Sequence, residues 1–263
     1  MTILDAFDLT GRAAVVTGGG THLGRAMATS LAELGASVVI ASRREQLCKQ
    51  VAAKMRDNGL DVTGQGCDVT VEAEVNALID AVVTAHGRLD VMVCNAGGSA
   101  APATHIPDGD VAEFMATLDL NVKSTYLCAQ AAARVMVEQR SGSIITIGSI
   151  HGSLSTDKRF YDIVGGKRGG PAYQSSKGAI INLTRNLATQ LGEYGITANC
   201  ISPGQIPKPD AGPALVKRCA EYIPLNRGGQ AEDLKGAVAL LASPAGSWLT
   251  GHNLIVDGGW SVW

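Results

Sequence analysis

The sequence predicts one doubly wound α/β domain spanning the whole chain. Short apolar runs alternate with longer stretches of helical periodicity almost from start to end, as repeated βαβ units do. Those runs are continuous Val/Ile/Ala segments rather than alternating ones, as expected for strands covered on both faces of a parallel sheet. Of the 263 residues, 46% are hydrophobic and only 4% aromatic, so a sizeable core must be aliphatic. No internal repeat, low-complexity tract or shift in composition marks a second domain.

The first strand is expected at 12–17 (RAAVVT), followed by a glycine cluster and a helix to about residue 34. A second strand lies at 37–41 (SVVIA), and a helix over 45–57 stops at Asn58-Gly59. Segment 62–67 is a weak third strand, interrupted by Gly64 and Gly66. Val71, Val75, Leu78, Ile79, Val82 and Val83 then recur at helical spacing and form one apolar face. The fourth strand, 89–94 (LDVMVC), runs into Asn95-Ala96-Gly97-Gly98. A long helix covers about 110–139, and the fifth strand is 142–148 (GSIITIG). A second long helix, about 171–194, is apolar on more than one side through Ile180, Ile181, Leu183, Leu187 and Leu191. Such a helix needs cover on two sides, and a homodimer or homotetramer formed through these two long helices would supply it. Two last strands, 196–201 and 254–256, surround helices near 210–221 and 231–242.

Lysine plus arginine number 22 against 24 aspartates and glutamates, a net charge of −2. That balance gives no global attraction to nucleic acid or to an anionic membrane. Cys48, Cys67, Cys94, Cys128, Cys200 and Cys219 form no CxxC pair, so no metal site is expected. Free thiols in a reducing cytoplasm are the expected state. The N-terminus, MTILDAFDLTGR, lacks the pattern of a signal peptide, and no stretch approaches 18 consecutive apolar residues. A soluble, cytoplasmic protein is expected.

The first strand runs into Thr17-Gly18-Gly19-Gly20-Thr21-His22-Leu23-Gly24 and then a helix. Glycines at such a turn let backbone amides approach a pyrophosphate, which the helix N-terminus also attracts. The GxGxxG spacing does not fit, because its third glycine would fall on Leu23. Glycines required by a tight turn alone are the competing reading.

Tyr173 and Lys177 stand four apart on the helix that follows Pro171, which places them on one face. A neighbouring ammonium favours the phenolate and would bring the tyrosine into range for proton transfer. A surface Tyr–Lys pair is the ordinary alternative. Tyr126, Tyr161, Tyr194 and Tyr222 have no lysine at that spacing. Asn95 and Ser149 close the fourth and fifth strands, at the edge where open α/β sheets bind ligands.

Eight segments occur in one order along nearly the entire chain: TGGGTHLG (17–24), CDV (67–69), CNAG (94–97), LNVKS (120–124), IGSIHG (147–152), YQSSK (173–177), ISPG (201–204) and VDGG (256–259). In this the sequence closely resembles the short-chain dehydrogenase/reductase family. The resemblance implies a single-domain Rossmann fold with a seven-stranded parallel sheet, helices on both faces, and hydride transfer between a nicotinamide and a carbonyl or alcohol carbon. It implies Tyr173 as the acid in reduction and base in oxidation, and Lys177 as the group that lowers the phenol pKa and holds the ribose. Ser149 would bind the substrate oxygen, and Asn121 would order a water near Lys177 or serve as a helix-kink or interior hydrogen-bonding residue. Gly18, Gly20, Thr21, His22, Leu23 and Gly24 would cradle the cofactor, with Asp68 and Val69 at the adenine. Asn95 would brace the central sheet and, with Ala96 and Gly97, contact the cofactor, and Pro203, Gly204 and Ile206 would flank the nicotinamide.

Three departures from the family pattern stand out. His22 replaces a glycine, Lys208 stands where a threonine is usual, and about eleven extra residues separate Ser149 from Tyr173. His22 either touches a phosphate or is a tolerated surface side chain. The second strand ends in Ser42 and Arg43 rather than an acidic residue, which favours NADP(H) over the alternative NAD(H). A solvated basic helix start is the plainer reading. Segment 151–172, with glycines at 165, 166, 169 and 170, is expected to be an extended substrate loop. It carries Lys158, Arg159, Lys167 and Arg168 against Asp157 and Asp162, so either it is a solvated charge run or an arginine binds an anionic substrate group. The C-terminal VDGGWSVW resembles the ends of family members that act on sugars, polyols and sugar acids; packing of Trp260 and Trp263 at a subunit contact explains it at least as well. A 3-oxoacyl thioester reductase and a non-catalytic cofactor sensor are the alternative functions.

Overall fold

The structure, a computed structural model, describes residues 2–163 and 169–263. In chain order it comprises α1 (Ile3–Phe7), β1 (Ala13–Thr17), α2 (His22–Glu33), β2 (Ser37–Ser42), α3 (Glu45–Asp57), β3 (Val62–Gly66), α4 (Glu72–His86) and β4 (Val91–Cys94). There follow α5 (Val111–Leu118), α6 (Ser124–Gln139), β5 (Gly142–Ile147), α7 (Lys158–Ile163) and α8 (Pro171–Leu191). The chain ends with β6 (Ile196–Pro203), α9 (Pro213–Tyr222), α10 (Lys235–Ala242) and β7 (Asn253–Val256). Among the described residues the strands form one seven-stranded sheet in the order β3-β2-β1-β4-β5-β6-β7. Every pairing is parallel. The strand order reverses between β1 and β4, and a crevice must open at their carboxyl ends.

β1 shows why its run is unbroken. Ala13 and Val15 face one apolar layer, with Val75 and Leu78 of α4, Met136 of α6 and Leu187 of α8. Ala14 and Val16 face the other, with Met27 and Leu31 of α2, Cys48 of α3 and Leu241 of α10. Both sides of the strand are core, so residues 13–16 are all apolar.

The head of β1 is tied down by charge. Asp90, only 6% exposed, accepts from the Ala13 amide at 2.9 Å, from Arg12 Nη1 at 2.8 Å and from Arg88 at 2.6 and 2.7 Å. These pairs precede the ladder, so β1 and β4 begin at residues 13 and 91 rather than at the predicted 12 and 89.

Two expected elements differ. The long helix at 110–139 is α5 and α6 joined by a π turn over Asp119–Lys123, which contains Asn121. A π turn adds a residue to the helical repeat and turns the side chains after it. Segment 151–172 is not a loop throughout, because 158–163 forms α7. Phe160 drives this. It is fully buried and meets Tyr161, Tyr222 and Trp260 edge-on, with centroids 4.9, 5.6 and 4.9 Å apart. Trp260 therefore packs within its own chain, while Trp263 is exposed. Lys167 and Arg168 lie outside the described residues. No described helix is long and apolar enough to cross a membrane.

Candidate active site

A cleft of about 910 Å³ opens at the carboxyl ends of the central strands. One half is lined by Gly18, Thr21, His22, Leu23 and Gly24 of the first turn, Ser42, Arg43 and Arg44 after β2, and Asp68 and Val69 after β3. The middle is walled by Asn95, Ala96, Gly97, Ser149, Tyr173 and Lys177, and Pro203, Gly204 and Ile206 close the far side.

The first turn suits a dinucleotide. Thr21 caps α2 through no side-chain hydrogen bond, so the amides of the helix's first turn are left to a ligand. Gly24 must be glycine, since a Cβ there would stand 2.3 Å from the Gly18 carbonyl oxygen and 2.6 Å from Asn95 Nδ2. That contact holds α2 hard against the end of β1. His22 has φ of +44°, a left-handed conformation that glycine takes more easily, and it lines the cleft. Gly20 is a correction: it is buried against Leu47 and Cys48 of α3 and forms no part of the cleft wall.

Thr17 and Asn95 lock the two central strands. Thr17 Oγ1 accepts from the amides of Asn95 and Ala96 at 3.0 and 3.1 Å, and Asn95 Nδ2 donates to the Thr17 carbonyl at 2.8 Å. Sequence reasoning quoted Thr17 only as part of a motif and gave it no such role.

Three groups meet at the centre. Ser149, just beyond β5, and Tyr173, on the first turn of α8, both line the cleft, and the serine hydroxyl is close enough to counter the effect of burial on the phenol. Lys177 is buried one turn further along, with Nζ 5.7 Å from the Tyr173 ring centroid. Its ammonium donates to the Ile147 carbonyl at 2.7 Å, and burial brings its pKa down to about 8. Burial pushes the Tyr173 phenol up, and the Ser149 hydroxyl opposes that shift. The direction is opposite to the one a neighbouring cation would give, because desolvation of the buried phenolate dominates.

Asn121 takes the interior, hydrogen-bonded place that is its alternative reading. Only 1% exposed, it does not line the cleft. Its Nδ2 donates to the Gly98 carbonyl and to Ser176 Oγ, and its Oδ1 accepts from the Gly98 amide. The side chain braces the loop after β4 against α8, and the π turn is what aims it there.

The wall beyond Ser149 contains groups that the sequence did not single out: His151, Tyr161 and Gln205, beside Lys208. Arg159, expected as a possible substrate contact, points elsewhere; it pairs with Asp157 at 3.0 Å, is 81% exposed and does not line the cleft. Among the described residues no three His, Cys, Asp or Glu side chains converge as a metal site.

Comparison with known proteins places the chain among oxidoreductases. The family described as enoyl-(acyl carrier protein) reductase matches residues 20–261. Secoisolariciresinol dehydrogenase of Forsythia intermedia is 35% identical, over 97% of this chain and 90% of that one. A gluconate 5-dehydrogenase from Burkholderia cenocepacia, solved with NADP and tartrate, superposes with a TM-score of 0.89 at 31% identity, covering all of both chains. A 7α-hydroxysteroid dehydrogenase solved with NADH and 7-oxo-glycochenodeoxycholic acid gives 0.88 at 33% identity, over 98% of each chain.

Proposed function

The chain belongs to the short-chain dehydrogenase/reductase family, oxidoreductases of CH–OH and C=O groups that use NAD(P), and we propose which of its residues do that chemistry. The observation that carries the reading is the convergence of Ser149, Tyr173 and buried Lys177 in one cleft with a dinucleotide-shaped turn. When bound, the nicotinamide supplies or accepts the hydride. Ser149 holds the substrate oxygen by a hydrogen bond. In reduction the Tyr173 hydroxyl delivers a proton to that oxygen, and in oxidation the tyrosinate removes it. Lys177 favours the tyrosinate by charge and offers ammonium hydrogens to the ribose hydroxyls. The test is direct: ketones or alcohols change nicotinamide absorbance with the wild-type protein. A cofactor sensor binds nicotinamide and turns nothing over.

NADP(H) is the proposed partner. Arg43 and Arg44 line the cleft beside neutral Ser42, and neither makes an ion pair among the described residues. A charged hydrogen bond to a 2′-phosphate contributes about 1.5–3 kcal/mol, or roughly 10- to 150-fold. Arg43→Ala should therefore lower kcat/KM for NADPH by about tenfold or more, with little change for NADH. Equal values for the two cofactors in both proteins would reverse the assignment.

The substrate is proposed to be a polyol, sugar or sugar acid, and the gluconate 5-dehydrogenase relative supports that leaning; a 3-oxoacyl thioester is the alternative. A homo-oligomer through the 110–139 and 172–194 helices is supported by Val111, Met115 and Tyr126, which are exposed apolar side chains on α5 and α6. Sedimentation should show a dimer or tetramer, and a monomer would rule the contact out. Six free, buried cysteines support a cytoplasmic placement.

A further inference from the structure

The cleft wall opposite the cofactor turn is built from three distant parts of the chain. His151 follows β5, Tyr161 lies on α7 in the inserted segment, and Gln205 follows β6. They are linked. Gln205 Nε2 donates to the Tyr161 hydroxyl at 2.9 Å, and the same hydroxyl lies 3.4 Å from His151 Nε2. His151 stands two residues beyond Ser149, whose Oγ accepts its amide at 3.1 Å, so this wall abuts the reacting groups. Tyr161 is also close enough to Tyr173 for its phenol to oppose ionisation of Tyr173.

A phenol hydroxyl has one hydrogen and two lone pairs. Gln205 occupies one lone pair. His151 Nε2 takes either the hydrogen or the second lone pair, depending on its tautomer. Burial holds the imidazole below its ordinary pKa, so the ring is neutral at pH 7 and both arrangements are uncharged. One valence of the hydroxyl is left over in each case, a donor in one and an acceptor in the other. A substrate hydroxyl complements both, since it donates and accepts. A bare methylene complements neither, and would strand the polar atoms that it covers.

We propose that Tyr161, held by His151 and Gln205, binds a second oxygen of the substrate, a hydroxyl near the reacting carbon, and so selects hydroxyketones and diols over mono-oxygenated ketones and alcohols. This rests on the oxidoreductase reading above and narrows its substrate class. The device belongs to this chain's inserted segment, because α7 places Tyr161 there. Phe160 fixes the helix from beneath through its contacts with Tyr222 and Trp260, so the hydroxyl is held rather than free to swing away.

The test compares cyclohexanone with 2-hydroxycyclohexanone, which differ by one hydroxyl, under saturating NADPH. The wild-type protein should prefer 2-hydroxycyclohexanone in kcat/KM by about tenfold or more, mostly through KM. Tyr161→Phe keeps the ring and its packing but removes the hydroxyl, and should bring the ratio to about threefold or less. Gln205→Met, which leaves α7 untouched, should lower the ratio in the same direction by a smaller factor. No wild-type preference, or a Tyr161→Phe loss equal for both ketones, overturns the inference while leaving the oxidoreductase reading intact. Should neither these ketones nor any others be turned over with either nicotinamide, the underlying reading fails and the inference falls with it.

Discussion

Tyr173→Phe should reduce carbonyl reduction by about 10²- to 10⁴-fold, the usual contribution of a positioned proton donor. Only one oxygen is removed. The ring stays beside Lys177, and neither the first turn nor the Arg43 end of the cleft is touched. Cofactor affinity should therefore change by no more than about threefold, which separates lost chemistry from lost binding. The pH dependence gives a second readout. Burial raises the phenol, so the wild-type group is protonated throughout the neutral range. Reduction needs that proton and should hold across neutral pH, then fall as the phenol ionises. Oxidation needs the tyrosinate, so its kcat/KM should climb over the same alkaline interval. Both slopes should vanish in the phenylalanine variant. Near-wild-type turnover by Tyr173→Phe would remove Tyr173 from the mechanism.

The second large effect is on stability. Asp90→Ala should cost about 2–3 kcal/mol, lowering Tm by roughly 5–10 °C. The loss is that of a buried acceptor. Without it the Ala13 amide at the head of β1 has no partner, while Arg12 and Arg88, 38% and 40% exposed, can turn back to water. That escape keeps the cost below the figure for a fully buried ion pair. The partners hold the folded carboxyl below its ordinary pKa of 3.8, against the opposing pull of burial. Its contribution is thus complete above the unfolded value and is lost as pH falls through the lower, folded one. Urea melts at pH 7 and pH 3 should show a difference between wild type and Asp90→Ala that shrinks in acid. A constant difference would mean the carboxylate charge plays no part.

What could be read from the sequence was local or periodic. The apolar runs gave away the sheet because both faces of β1 and its neighbours are core. Tyr173 and Lys177 were legible because one helix carries both at fixed spacing, and the strand-end position of Ser149 brought it to them. The failures share a different cause. Gly20 and Gly24 look alike in a string, yet one packs on α3 and the other against Gly18, which only tertiary contact distinguishes. The π turn that carries Asn121, and with it the hold on Gly98, follows from no spacing in the string. Glycine-rich flanks suggested a loop where α7 forms, because one side chain, Phe160, finds a buried site made by α9 and the C-terminal tail. Arg159 looked available until Asp157, two residues away, claimed it. His151, Tyr161 and Gln205 are separated by as many as 54 positions, and no spacing rule joins them.

The Phe160 cluster also bears on how such a site could diverge. Its rings come from α7, α9 and the tail, while the hydroxyl it steadies belongs to the substrate wall. Selectivity is thereby exposed to drift at positions that never meet a substrate. Replacing Tyr222 or Trp260 would re-seat Phe160, and Tyr161 with it, while the Ser149–Tyr173 pair, anchored on β5 and α8, stayed in place. New substrates could then be sampled through changes behind the wall, at no cost to the proton-transfer step that every substrate shares.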